Sequence, residues 1–204
     1  MLRGLAMSIG LVIVASGCAS MNLSKDLSFS TGEDRIAQKA VLYARPEAQA
    51  FAVEGSRMGR TYKIPVGEAL LPNAQRCLAS AFESADIAND LSFSKVGPYT
   101  VEFDFPETGK LDIGLTSFSA SPVTLSVRAR VRKGDGPVIW EKTAKATSSA
   151  RSRWQIAAVI PIFGALGHDT AIVLAAEKSL QQSLDEIRGS LLKNKGIFMK
   201  DMAM

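Results

Sequence analysis

The chain has 204 residues, 24 Lys and Arg against 20 Asp and Glu, a formal charge of +4 and 47% hydrophobic residues. The length suits one domain with a sizeable core, and so mild a positive surplus does not describe a nucleic-acid binder. The lone histidine, His168, excludes a histidine metal cluster within one chain and any Ser-His-Asp or Cys-His site that does not use it.

The first twenty residues, MLRGLAMSIGLVIVASGCAS, carry one basic residue at Arg3, an apolar run from Leu5 to Ala15, and small residues Ala15, Ser16 and Gly17 leading into Cys18. About eleven apolar residues are too few to span a bilayer, which needs about twenty. The segment resembles a bacterial lipoprotein signal, with Ala15 standing where leucine is usual. The resemblance implies removal of residues 1–17, acylation of Cys18 as the mature first residue, and a membrane attachment through that lipid. Ala19 after the cysteine, in place of Asp, resembles the signal for transfer to the outer membrane, with the domain in the periplasm. An ordinary signal peptide cut near Ala19, or an uncleaved anchor, is the alternative use of the same residues. With Cys18 acylated, Cys77 has no partner for an intramolecular disulfide.

Residues 18–34 are polar, serine-rich and without period, the composition of a flexible tether. A single domain is expected over 35–193. Ile36 to Tyr43 can form a strand, Arg45 to Gly59 reads mostly as loop, and Arg60 to Val66 reads as a strand that Pro65 confines to an edge or an end. From Gly67 to Ala85, Leu70, Leu71, Ala74, Cys77, Leu78, Ala81, Phe82 and Ala85 recur at three- and four-residue steps, which predicts an amphipathic helix. Its regular part is expected to start near Leu71 because of Pro72, and Asn73, Gln75, Arg76, Ser80 and Glu83 fall on its polar side. Cys77 lies on the apolar stripe, where a packed and inert thiol is expected.

Period-two alternation follows. Tyr99, Val101, Phe103 and Phe105 lead through Pro106 to Gly109 into Leu111, Ile113 and Leu115, which predicts a hairpin. Val123 to Val131 leads through Lys133 to Pro137 into Val138 to Ala146, which predicts a second. The closing helix is expected from about Asp169 to Lys193, with Ile172, Ala176, Leu180, Leu184, Ile187 and Leu191 on one side. Residues 194–204 form a C-terminal tail, although Ile197, Phe198 and Met199 could dock.

Two surfaces are candidate contact sites. Arg128, Arg130 and Arg132 share one strand face with about 7 Å between neighbours, a ridge that suits anionic groups or an acidic partner and equally suits a solvated sheet face. The nearly uncharged stretch around Trp154, Ile160, Ile162 and Phe163 is a buried connector or an apolar loop for a membrane or partner; Pro161, Gly164 and Gly167 argue against continuous helix there. Glu102 and Asp104 share a strand face expected to be exposed. The sequence contains neither a G-x-S-x-G elbow nor a glycine-rich phosphate loop ending in Lys-Ser or Lys-Thr. No catalytic residue, metal or cofactor is expected.

The order strand, helix, two hairpins, helix predicts an α+β fold: an antiparallel four- to five-stranded sheet with two helices packed on one face. Together with the signal, this resembles small envelope lipoproteins of the lipopolysaccharide-assembly (LptE) type and the auxiliary lipoproteins of envelope transporters. That resemblance implies a non-enzymatic lipid-anchored protein that supports assembly or transport of an envelope component within a protein complex. The alternatives are a peripheral subunit of a secretion, pilus or flagellar machine, and a periplasmic hydrolase.

Overall fold

The computed structural model describes residues 19–32, 34–57, 60–88, 98–111, 122–134, 136–150 and 161–199, with side chains at all of these except 19, 20, 56, 57, 60 and 161–169. In chain order the elements are β1 (Ala19–Ser20), β2 (Ile36–Ala44), α1 (Pro46–Gln49), β3 (Val53–Arg57), β4 (Arg60–Ile64), α2 (Val66–Ala81), β5 (Phe82–Ile87), β6 (Tyr99–Asp104), β7 (Lys110–Leu111), β8 (Val123–Lys133), β9 (Val138–Ser148), α3 (Pro161–Lys193) and α4 (Lys195–Met199).

The fold is α+β, and its main sheet is mixed and has six strands, where an antiparallel sheet of four to five was expected. β2 runs parallel to β5 on one side and to β6 on the other, while β8 is antiparallel to β6, β7 and β9. Alternation reports which residues share a face but carries no strand direction. The parallel pairing of β2 with β5 depends on the long connection through α2, of the length that parallel neighbours require. β1, β4 and β3 form a second, three-stranded sheet.

Among the described residues the first expected hairpin does not form. β9 pairs along Val123 to Arg132 of β8, so β6, opposite Arg128 to Lys133, and β7, opposite Val123 and Thr124, both lie on the other edge of β8. β6 and β7 are therefore two successive pieces of one line of pairing, with residues 105–109 looping out between them. Ile113 and Leu115 lie outside the described residues. The second hairpin forms as the pattern predicts, and Gly134, at φ 52, occupies the left-handed conformation its turn requires.

α2 begins at Val66, runs through Pro72 and ends at Ala81; Phe82 is already extended, at φ −106 and ψ 167, and starts β5. Phe82 and Ala85 are buried, as their spacing implied, but from a strand. Asn73 and Ser80, on the side expected to be polar, are buried, 0% and 3% exposed. Ser80 donates to Cys77 O at 2.6 Å and accepts from Arg188 Nε at 2.8 Å, which ties α3 to α2.

α3 lies over β8 and β9 on the same side as α2. Ser179 Oγ donates to Val123 O at 2.6 Å, Ser148 Oγ lies 2.6 Å from Gln182 Oε1, and Lys142 Nζ pairs with Glu186 at 2.6 Å. Ala144 and Ala146 on β9 give the helix room to approach the sheet. The helix starts at Pro161 and not near Asp169, so Ile162, Phe163, Gly164 and Gly167 have helical backbone where a loop was expected. Proline is well suited to the first helical position, which accounts for the earlier start. At the other end α4 returns part of the expected tail to the core: Phe198 is fully buried, edge-on to Phe82 and Tyr99, and its carbonyl accepts from Tyr99 Oη at 2.8 Å.

The described part of the expected tether is held along the helices. Met21 and Leu23 are 5% and 6% exposed and belong to the core. Asn73 accepts from Leu27 N at 2.9 Å and donates to Ser24 O at 2.9 Å, while Ser24 N donates to Glu177 and Gln181 donates to Ser28 O. Serine-rich composition indicates solvation, but here the backbone polar groups find partners on α2 and α3.

Candidate functional site

The sheet face away from the helices carries alternate residues of β6 and β8, and the register sets Glu102 opposite Arg130 and Asp104 opposite Arg128. Arg128 grips Asp104 with two bonds, Nε to Oδ1 at 2.9 Å and Nη2 to Oδ2 at 2.7 Å. Arg130 Nη2 lies 2.7 Å from the same Oδ2 and 3.2 Å from Glu102 Oε1. Arg45, just past β2, donates its Nε to that Glu102 oxygen. The hydrogen bond to Glu102, reinforced by its charge, raises the Arg45 pKa above the ordinary guanidinium value, and the bond to Asp104 does the same for Arg128.

This network changes the meaning of the arginine ridge. Alternation placed Arg128 and Arg130 correctly on one face, but their guanidinium groups are neutralised by Asp104 and Glu102 and only 29% and 16% exposed. Glu102 itself is 5% exposed, not solvated as expected. Arg132 reaches Gly136 O at 3.4 Å instead of joining the cluster. A carboxylate and an arginine facing each other across an antiparallel pair favour pairing over a free anion surface.

The network ends in a groove that sequence reasoning missed. Because β2 and β6 are parallel, with Ala44 opposite Phe103, both strands finish at the same end of the sheet. The chain from β2 leads through α1, β3, β4 and α2 to β5 on one side, and the chain from β6 leads to β7 and β8 on the other, so the two strands meet at a topological switch point. In open α/β sheets ligands bind in the crevice outside the carboxyl ends of such strands, and the parallel pair β2 and β6 reproduces that geometry locally. Here it is a groove of about 460 Å3, lined among others by Arg45, Glu47, Phe51, Asp104, Phe105 and Thr108. Phe51 and Phe105 stack with ring centres 4.0 Å apart and planes within 12°.

The groove wall is braced from behind. Gln49 Nε2 donates to Ala44 O at 2.8 Å, and Gly67 N at the start of α2 donates to Phe51 O at 2.8 Å. A Cβ on Gly67 would meet the carbonyl oxygens of Ala48 and Gln49, so α1 and α2 touch there only because residue 67 has no side chain. Glu107, which also lines the groove, accepts from Lys145 of β9 at 2.7 Å, and this bond holds the Glu107 carboxyl below its ordinary pKa. Among the described residues, the two terminal nitrogens of Arg45 and the carboxylate of Glu47 have no hydrogen-bond or salt-bridge partner.

Of the other expected site residues, Cys18, Trp154 and Ile160 lie outside the described residues, and Ile162, Phe163 and His168 have described backbone only, within α3. Cys77 is fully buried, and desolvation pushes its thiol pKa up to about 12. Its Sγ points at Leu184 O, 3.4 Å away. Among the described residues no group of three His, Cys, Asp or Glu could hold a metal ion, and no helix is long and apolar enough to cross a membrane.

No protein-family model matches the chain, and no curated protein does. Among solved structures it is similar to a homolog of a neuraminyllactose-binding hemagglutinin from Helicobacter pylori, over 90% of this chain and 100% of that one, at 12% identity and a TM-score of 0.50. At that identity the likeness is one of fold alone. Weaker likenesses are to a PelC dodecamer from Paraburkholderia phytofirmans, at 14% identity over 78% of this chain and 95% of that one, with a TM-score of 0.42. A minor lipoprotein from Acinetobacter baumannii is similar at 11% identity over 76% of this chain and 95% of that one, with a TM-score of 0.40.

Proposed function

We propose that this chain is a non-enzymatic, lipid-anchored protein of the outer membrane whose periplasmic domain supports the assembly or transport of an envelope component. The observation that carries the proposal is the join between Cys18 and the fold. The leader resembles a lipoprotein signal ending at Cys18, and the very next residues, Ala19 and Ser20, pair in parallel with Tyr62 and Lys63 of β4. An acyl group on Cys18 would then hold the β1-β4-β3 sheet within one residue of the lipid headgroups, with no free tether between. Such a domain has a set height and orientation at the membrane, which suits a docking or assembly component.

The non-enzymatic reading is supported by the state of the charged groups. Both oxygens of Asp104 are taken by Arg128 and Arg130, and Glu102 is shared by Arg45 and Arg130. A general acid or base must bring a carboxyl oxygen within reach of the reacting group, and both oxygens of Asp104 are already engaged by guanidinium groups.

The test is the intact mass of the protein extracted from membranes, joined to fractionation of a Cys18→Ser variant. A triacylated N-terminal Cys18, and release of the variant from the membrane fraction, are expected. A mature protein that starts at Ser20 without lipid overturns the anchor. Affinity capture through the native anchor is expected to recover an envelope complex.

A further inference from the structure

We infer that the groove at the carboxyl ends of β2 and β6 binds an acidic saccharide, a sugar bearing a carboxylate or a phosphate. Three features on its walls match three parts of such a ligand. Arg45 is pre-positioned: its Nε is spent on Glu102, its side chain is 51% exposed, and its two terminal nitrogens remain to form a fork on an anion. The stacked Phe51 and Phe105 give the groove an apolar wall on which the C–H face of a sugar ring can rest. Glu47 and Thr108 supply an acceptor and a hydroxyl for the sugar hydroxyls around the ring.

Electrostatics select the position of the acid. Asp104 and Glu107 also line the groove, yet each is neutralised, by Arg128 with Arg130 and by Lys145. Arg45, Arg128 and Arg130 face Glu102 and Asp104, three positive charges against two negative, so the network keeps one positive charge in excess, and Arg45 presents it to the groove through its free terminal nitrogens; Glu47 opposes an anion placed on its own side. The groove of about 460 Å3 falls within the usual size of a small-ligand site. The braced loop behind it, through Gln49 and Gly67, reduces the ordering cost of binding. This inference does not depend on acylation of Cys18, and a failure of either leaves the other standing.

The experiment titrates the full chain, purified in detergent, with digalacturonate, glucose 1-phosphate, maltose and acetate, followed by calorimetry and by the ring resonances of Phe51 and Phe105. At least one of the two acidic sugars is expected to bind about tenfold or more tightly than both neutral maltose and ring-less acetate, which corresponds to a single charge-assisted contact acting with a stacked ring. The acidic sugar that binds identifies carboxylate or phosphate as the recognised group. Arg45→Gln is expected to weaken it about tenfold and Arg45→Lys by less, since lysine keeps the charge but loses the fork. Phe105→Leu, which keeps apolar volume, is expected to weaken the sugar and leave acetate unchanged. Absence of ring shifts with either acidic sugar at tens of millimolar overturns the proposal. So does maltose binding equally well, or unchanged affinity in folded Arg45→Gln and Arg45→Lys proteins.

Discussion

Arg45 and Glu102 stand 57 residues apart in the chain, yet the Nε of one donates to the buried carboxylate of the other at the point where two parallel strands end. The bond joins the loop after β2 to the middle of β6, and through Glu102 to Arg130 of β8. A carboxylate 5% exposed that serves two guanidinium groups is costly to remove, because its partners are left with uncompensated charge. Glu102→Gln is expected to destabilise the fold by about 2–3 kcal/mol, at the low end for buried pairs because Arg45 is half exposed. Urea unfolding checks the value. Lys145→Gln, at the exposed pair with Glu107, serves as the reference and is expected to leave the midpoint unchanged; equal effects from both would show that the buried network contributes nothing special.

How much of this was legible in the sequence depends on the element. The β8–β9 hairpin was, because strict alternation from Val123 to Arg132 runs into a Lys-Gly-Asp-Gly-Pro turn. The shared face of Arg128 and Arg130 was too, since parity follows from the pleat alone. Their neutralisation by Asp104 and Glu102 was not, because alternation does not say which strand lies alongside. Phe82 and Ala85 continued the three- and four-residue spacing of α2 and so extended the expected helix into a strand. Arg45 and Phe51 gave no signal at all. Their importance comes from β2 having parallel neighbours on both sides, a property of topology that no local pattern records. Asn73 and Ser80 looked like solvent-side residues because their buried partners are backbone groups and an arginine far off in sequence.

Gly67→Ala separates helix propensity from packing. Propensity alone favours alanine by about 1 kcal/mol within a helix. The new Cβ, however, would lie 2.7 Å from the carbonyl carbon of Gln49 and nearer still to the oxygens of Ala48 and Gln49. Backbone atoms yield little, so a net loss of about 1–3 kcal/mol is expected. Amide exchange over residues 46–51 should accelerate as α1 is displaced, and sugar affinity at the groove should fall with it. A more stable variant would show that α1 moves away without cost.

Asn73→Ala tests the docking of the N-terminal segment. The side chain satisfies Leu27 N, Ser24 O and Ala69 O, and the Asn73 residue is fully buried. Truncation strands a donor and an acceptor of the segment at a partly buried site, at a cost of about 2–3 kcal/mol. Limited proteolysis should then cut within residues 21–29 before any other part of the domain, and Leu27 should lose its exchange protection. Uniform loss of resistance across the chain would instead mean that the segment and the helices unfold as one unit.

Cys77 sets a pH dependence at the alkaline end. Burial between α2 and α3 raises its thiol from the ordinary value of 9.0 to about 12, since the thiolate has no water to solvate it. The folded state therefore holds the proton through a range in which the unfolded chain has lost it. Stability from this group is fully present below about pH 9 and is lost as pH rises through the folded value near 12. The slope cannot exceed about 1.4 kcal/mol per pH unit for one proton. The measurement is a difference between two chains that share every other titratable group. Urea midpoints of the native chain and of Cys77→Ala, taken from pH 7 to 11, should start apart by the lost packing of the thiol and converge above pH 9. Parallel curves would show that the thiolate is solvated in the folded protein. The same burial predicts that a thiol reagent at pH 8 leaves Cys77 unmodified until denaturant is added.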